Sequence, residues 1–151
     1  MTRIMSRREA LVLLGAAAAV LACGRAPHEL QPGHVAVGRD QCAFCRMVID
    51  DARLAAQFMQ PDGRVTPFGE VGCLLAWSAQ RADLTGTAFV MATDTQRWLS
   101  APAATYVRGT VRTPMLYNLS AYEHLPDGIA SDTIFDWDTL RRKGAPDAQP
   151  A

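Results

Sequence analysis

The stretch "RLAAQFMQPDGRVTP" (residues 53–67) places the tightest limit on what this chain can fold into. Leu54, Ala56 and Phe58 fall on one face of an alternating run, the two-residue period of a strand. Pro61-Asp62-Gly63 is a turn signal, with Pro pre-setting φ and Gly free to take a positive one. Residues 64–67 begin the return strand. Strands joined by so short a turn are antiparallel neighbours, so the sheet is built from hairpins rather than crossovers.

The rest of the chain extends this pattern. Residues 47–49 form a short strand candidate. Val71, Leu74 and Leu75 recur at helical spacing, which predicts a helix over 69–81. Residues 87–93 ("TAFVMAT") read as a buried strand and 104–109 ("ATYVRG") as an alternating one. Helices are expected over 119–125 and over 135–143, the second ended by Gly144. The runs "AAQFMQ…VTPFGEV" and "AATYVRG…RTPMLYN" share an order of small, aromatic, aliphatic and Thr-Pro-hydrophobic residues, with Thr66-Pro67-Phe68 aligned on Thr113-Pro114-Met115. The expected class is α+β: two similar small ββα-type halves with short antiparallel sheets, over 40–95 and 96–145.

The N-terminus supplies the address. Arg3, Arg7 and Arg8 precede an apolar run over 10–22 that is shorter than the ~20 residues of a membrane span. Ser6-Arg7-Arg8 resembles a twin-arginine export signal, without the usual aromatic after the pair. Val20-Leu21-Ala22-Cys23 looks like a bacterial lipobox, which makes 1–22 a lipoprotein signal peptide and Cys23 the lipidated residue. Gly24 is not the Asp that typically retains a lipoprotein in the inner membrane. The expected location is therefore the periplasmic side, lipid-anchored, at the outer membrane. Residues 23–39 then read as a tether and 146–151 as a disordered tail.

The full chain has 15 basic and 15 acidic residues. Basic residues leave with the signal, so the mature chain is somewhat acidic and lacks a Lys/Arg block, which argues against a nucleic-acid partner. There is no Gly-rich phosphate loop, Gly-x-Ser-x-Gly elbow or His-Glu-x-x-His helix, and a binding protein without turnover is expected. Beyond Cys23, the thiols Cys42, Cys45 and Cys73 are odd in number, so one intrachain disulfide leaves one over. Soft-metal or redox work explains such a set better than a stabilising framework does.

Four readings of "CAFCRM" (42–47) stay open. A thioredoxin-like pair needs Cys45 in a helix within a βαβ frame, and neither is expected. Zinc needs four ligands, and the sequence has no second Cys-x-x-Cys or His pair. Copper(I) is soft and prefers thiolate and thioether sulfur; Cys45 and Met47 share one face if that stretch is a strand. Plain burial of sulfur is the fourth. Cys42 is an auxiliary-ligand or structural candidate, and Cys73 is expected to be buried. His28 and His34 lie in the tether. His124 follows the 119–125 segment and is a weaker metal candidate. Trp77, Trp98, Trp137, Met59 and Met91 read as core or half-buried residues.

"CAFCRMVID", "ARLAAQFMQPDGRVTPFGEVGCLLAW" and "WLSAPAATYVRGTVRTPMLYNLSAYE" together resemble the NosL family, lipoprotein copper chaperones that serve nitrous oxide reductase. The resemblance spans about 40–123. It implies two similar α+β halves and one bound Cu(I). It further implies delivery for assembly of the reductase's copper centres, alongside a membrane ABC-type maturation complex. The implied ligands are Cys45 and Met115, with Met47 as an additional sulfur. Arg46 and Leu116 stand where family members usually carry Gly, which leaves a different copper enzyme as an alternative recipient. A periplasmic thiol–disulfide protein using Cys42 and Cys45 is the alternative outside copper chemistry.

Overall fold

A computed structural model describes residues 30–81 and 83–144. The signal peptide, Cys23, His28 and the 146–151 tail lie outside the described residues. Strands β1 (Ala56–Met59) and β2 (Val65–Phe68) form the expected hairpin, with Phe58 opposite Thr66. Helix α1 (Val71–Ala79) follows at once. Strand β3 (Thr87–Met91) returns to pair with the other edge of β1, and β4 (Trp98–Ser100) adds to β3, giving the order β2-β1-β3-β4. The second sheet, β6-β5-β7, comprises β5 (Thr105–Arg108), β6 (Leu119–Tyr122) and β7 (Ile134–Phe135). Helix α2 (Trp137–Lys143) closes the described chain.

The fold is α+β with two similar halves, and the similarity is one of topology. In each, the first strand pairs with the second through a hairpin and with the third on its other edge. β1 and β5 correspond, as the small-small-aromatic runs suggest. The Thr-Pro alignment does not carry over. Thr66-Pro67-Phe68 lies in β2, whereas Thr113-Pro114-Met115 lies in the connection before β6. The first sheet also takes in 98–100, past the 95/96 division read from the sequence.

Three expectations are corrected. Residues 119–125 form no helix: Leu119–Tyr122 is a strand buried throughout. Its Leu, Ala and Glu content favours helix, but β5 pairs along its length and Thr93 N–H donates to Ala121 O at 2.8 Å on its far edge. Tertiary pairing of that kind outweighs local propensity. Residues 47–49 form no strand either, only an isolated Gln41–Val48 bridge. The final helix begins at Trp137 rather than 135, because Asp136 caps it by accepting from Thr139 N–H at 2.6 Å.

β1 is buried on both faces, not one. The 33–38 segment, read as tether, covers the second face. Gln57 is fully buried and its amide is satisfied by that segment: Oε1 accepts from Gly33 N–H at 2.9 Å and Nε2 donates to Gly33 O at 3.2 Å. Gly38 N–H then donates to Ile49 O at 2.8 Å. The two sheets share one core. In it Phe58 and Phe68 pack on Trp77 of α1, and Tyr106 of β5 packs on Trp137 of α2.

Candidate metal centre

Residues 38–49 fold back as a narrow hairpin with the Cys-x-x-Cys at its tip. Cys42 N–H donates to Met47 O at 2.9 Å and Arg46 N–H to Cys42 O at 3.0 Å. Ala43 N–H donates to Pro67 O at 2.9 Å, which docks the tip on the edge of β2. This compact turn requires a left-handed residue, and Arg46 provides it at φ 68°. The strand argument for Cys45 and Met47 sharing a face is therefore overturned: they are separated by a turn residue, and Met47 is 40% exposed.

A second wall comes from the start of α1. Phe68 ends β2, Gly69 turns the chain beside Cys42, and Cys73 falls in the first helical turn, wholly buried. The third wall is the 113–117 segment. Leu116 N–H donates to Thr113 O at 3.0 Å to close a turn, with Leu116 itself left-handed at φ 60°. Tyr117 lays its ring on the backbone of Gly72 so closely that a Cβ there would stand 2.2 Å from ring carbons.

These segments bring Cys42, Cys45 and Cys73 together, their three Sγ atoms all within 4.8 Å of one another. Among the described residues no imidazole or carboxylate joins that group. Cys42 and Cys73 are buried and Cys45 is half-buried. The Cys42 thiol is pulled below its ordinary pKa because the Cys73 thiol donates to it, against the opposing effect of burial; backbone N–H groups of Cys45, Gly69 and Phe44 add to the pull. Cys73 is pushed up by the same hydrogen bond and by burial. Cys45 is pushed up chiefly by burial, offset in part by the Met47 N–H. Cys42 is thus the thiol of the three that its surroundings favour as a thiolate, with backbone donors of Cys45, Gly69 and Phe44 beside it.

The donor set fits a soft ion. With metal–sulfur bonds of about 2.3 Å, three thiolates around one ion stand roughly 4 Å apart, close to the spacing present. Three sulfurs suit copper(I), which accepts low coordination numbers, better than zinc, which takes four ligands. Cys73 is the member that sequence reasoning placed in the core and not in the site. It is buried, as expected, and it also completes the thiol group. Nothing in local spacing links it to Cys42, because the contact depends on how β2 hands over to α1.

The other site candidates are placed as follows. Met115 packs, half-buried, against the same core cluster that holds Cys42 and Cys73. Its N–H donates to Glu70 Oε1 at 2.6 Å. Glu70 is 1% exposed, its Oε2 has no hydrogen-bond partner, and burial pushes its pKa up. His124 lies on the surface with Nδ1 3.4 Å from Asp94 Oδ2, outside the thiol group. His34 is exposed and shares a groove with Met91 and Trp98.

Compared by sequence, the chain matches no family model and no curated protein. Compared by structure, it is similar to the crystal structure of the copper chaperone NosL from Shewanella denitrificans, with a TM-score of 0.61 and 12% identity. The match covers 76% of this chain and 98% of that one. At that identity the likeness is one of fold, and the chain has a NosL-like fold.

Proposed function

We propose that the chain is a copper(I) chaperone that holds its cargo at Cys42, Cys45 and Cys73. The observation that carries this reading is the convergence of three thiols from two separate segments within 4.8 Å, in a fold shared with a copper chaperone. Met115, and Met47 at the exposed rim, supply further sulfur in this reading. Cys45 is the reachable thiol, so a recipient's ligand attacks the ion on that side while buried Cys42 and Cys73 keep hold until exchange is complete. The proposed setting is the periplasmic face of the outer membrane, anchored through lipid on Cys23. The proposed recipient is nitrous oxide reductase with its ABC-type maturation complex, and no catalytic turnover is involved.

Exposure favours this reading over thiol–disulfide exchange. An exchange protein needs an accessible attacking thiolate, yet here the thiol with the lowered pKa is the buried Cys42, 1% exposed. An anaerobic Cu(I) titration of the full chain carrying Cys23→Ser, against a chromophoric chelator, tests the proposal. One tight site that weakens strongly in Cys45→Ala and Cys73→Ala is expected. No competition for Cu(I), together with a reversible Cys42–Cys45 disulfide that reduces a protein disulfide, would replace it with the exchange reading.

A further inference from the structure

We infer that Glu70 is the positioning residue of this site: its buried carboxylate holds the 113–116 turn against the start of α1 and so sets where Met115 packs on the core that carries the thiols. The inference rests on the copper reading above and adds a residue to it. Glu70 sits at the N-cap of α1, where a side chain ordinarily accepts from its own helix. It makes no such bond. Its Oε1 instead accepts from the Met115 N–H at 2.6 Å, across 45 residues of sequence. The turn it anchors includes a left-handed Leu116, a backbone that needs support from outside itself. The base of the same loop is tied by Thr113 N–H to Asn118 Oδ1 at 3.1 Å and Asn118 N–H to Thr113 Oγ1 at 2.9 Å, and the Thr113 side chain also faces the Glu70 carboxylate. Glu70 thus holds the loop at Met115 as well as beside its base.

Space-filling does not explain the choice of residue. An apolar side chain would fill the volume without leaving a buried oxygen such as Oε2 unpartnered. A carboxylate retained at that cost is accounted for by the acceptor it offers to Met115.

A double-mutant cycle on the full chain carrying Cys23→Ser tests this, with anaerobic Cu(I) affinity as the readout and near-ultraviolet circular dichroism as the check on folding. Glu70→Ala is expected to weaken binding about three- to tenfold, the scale of one hydrogen bond. In a Met115→Leu background the same substitution is expected to change little, because Glu70 acts through Met115. Glu70→Gln, which keeps the acceptor, should bind nearly as wild type does. If Glu70→Ala does not fold, Glu70→Leu takes its place, removing the acceptor while keeping the volume. Full additivity with Met115→Leu, wild-type affinity without the acceptor, or a Gln variant as weak as the Ala one each overturns the inference and leaves the copper reading standing. A wild-type chain that binds no Cu(I) removes both.

Discussion

Arg46 and Leu116 adopt φ of 68° and 60°. Both positions are ones where a residue without a Cβ would fit more easily, because a Cβ costs roughly 1–2 kcal/mol in the left-handed region. Glycine gives part of this back through its freedom in the unfolded chain. Arg46→Gly is therefore expected to raise stability by up to about 1 kcal/mol, whereas Arg46→Val, β-branched and restricted, lowers it. Urea unfolding of the metal-free chain checks both, and a clear loss in the Gly variant would contradict the backbone argument. Glu70 makes a pH prediction at the same scale. Burial raises its folded-state pKa, so the stability linked to it is full below the ordinary glutamate value of about 4.3 and declines as pH rises through the raised one. Metal-free wild type should lose stability relative to Glu70→Gln across that window. Parallel unfolding curves for the two at pH 4 and pH 7 would count against it.

The first turn of α1 shows two element-scale effects in conflict. Replacing Gly72 by Ala in a helix gains about 1 kcal/mol of propensity. The new Cβ, however, would stand 2.2 Å from the Tyr117 ring, and neither the helix backbone nor a ring buried against it yields easily. Sterics win: Gly72→Ala should cost about 1–3 kcal/mol. It should also weaken Cu(I) binding, because the displaced Tyr117 lies two residues from Met115. In a Tyr117→Ala background, Gly72→Ala should cost nothing or stabilise, which would identify the clash as the cause; an undiminished cost there would point elsewhere.

Over the whole molecule, the site draws on the 38–49 hairpin, the β2–α1 junction and the 113–117 turn, all packed on one core. Unfolding separates Cys73 and Met115 from the Cys42/Cys45 pair, so under the copper reading Cu(I) should bind the native state more tightly. Free Cu(I) at a thousand times its Kd should then stabilise the chain by up to about 4 kcal/mol, less whatever the unfolded Cys42/Cys45 pair retains, and thermal unfolding with and without metal reads this directly. Loss of bound Cu(I) and loss of tertiary structure should coincide in one transition. Metal release well before unfolding would show instead that the thiols sit on a segment that opens alone.

Local pattern alone determined much of the fold. The Pro61-Asp62-Gly63 hairpin, the helix at 71–79, the strands at 87–91 and 105–108, and the correspondence of β1 with β5 all follow from periodicity and turn chemistry, which act between near neighbours. Cys42, Cys45 and Met115 were legible as soft-metal candidates by residue type and by resemblance. Tertiary structure decided the rest, because those features depend on partners distant in sequence. Residues 119–122 became a strand once β5 lay beside them, and residues 33–38 became the cover over Gln57 rather than a tether. Cys73 and Glu70 carried no local mark of a site. Each entered it through what the fold sets against it, a thiol from residue 42 and a backbone N–H from residue 115.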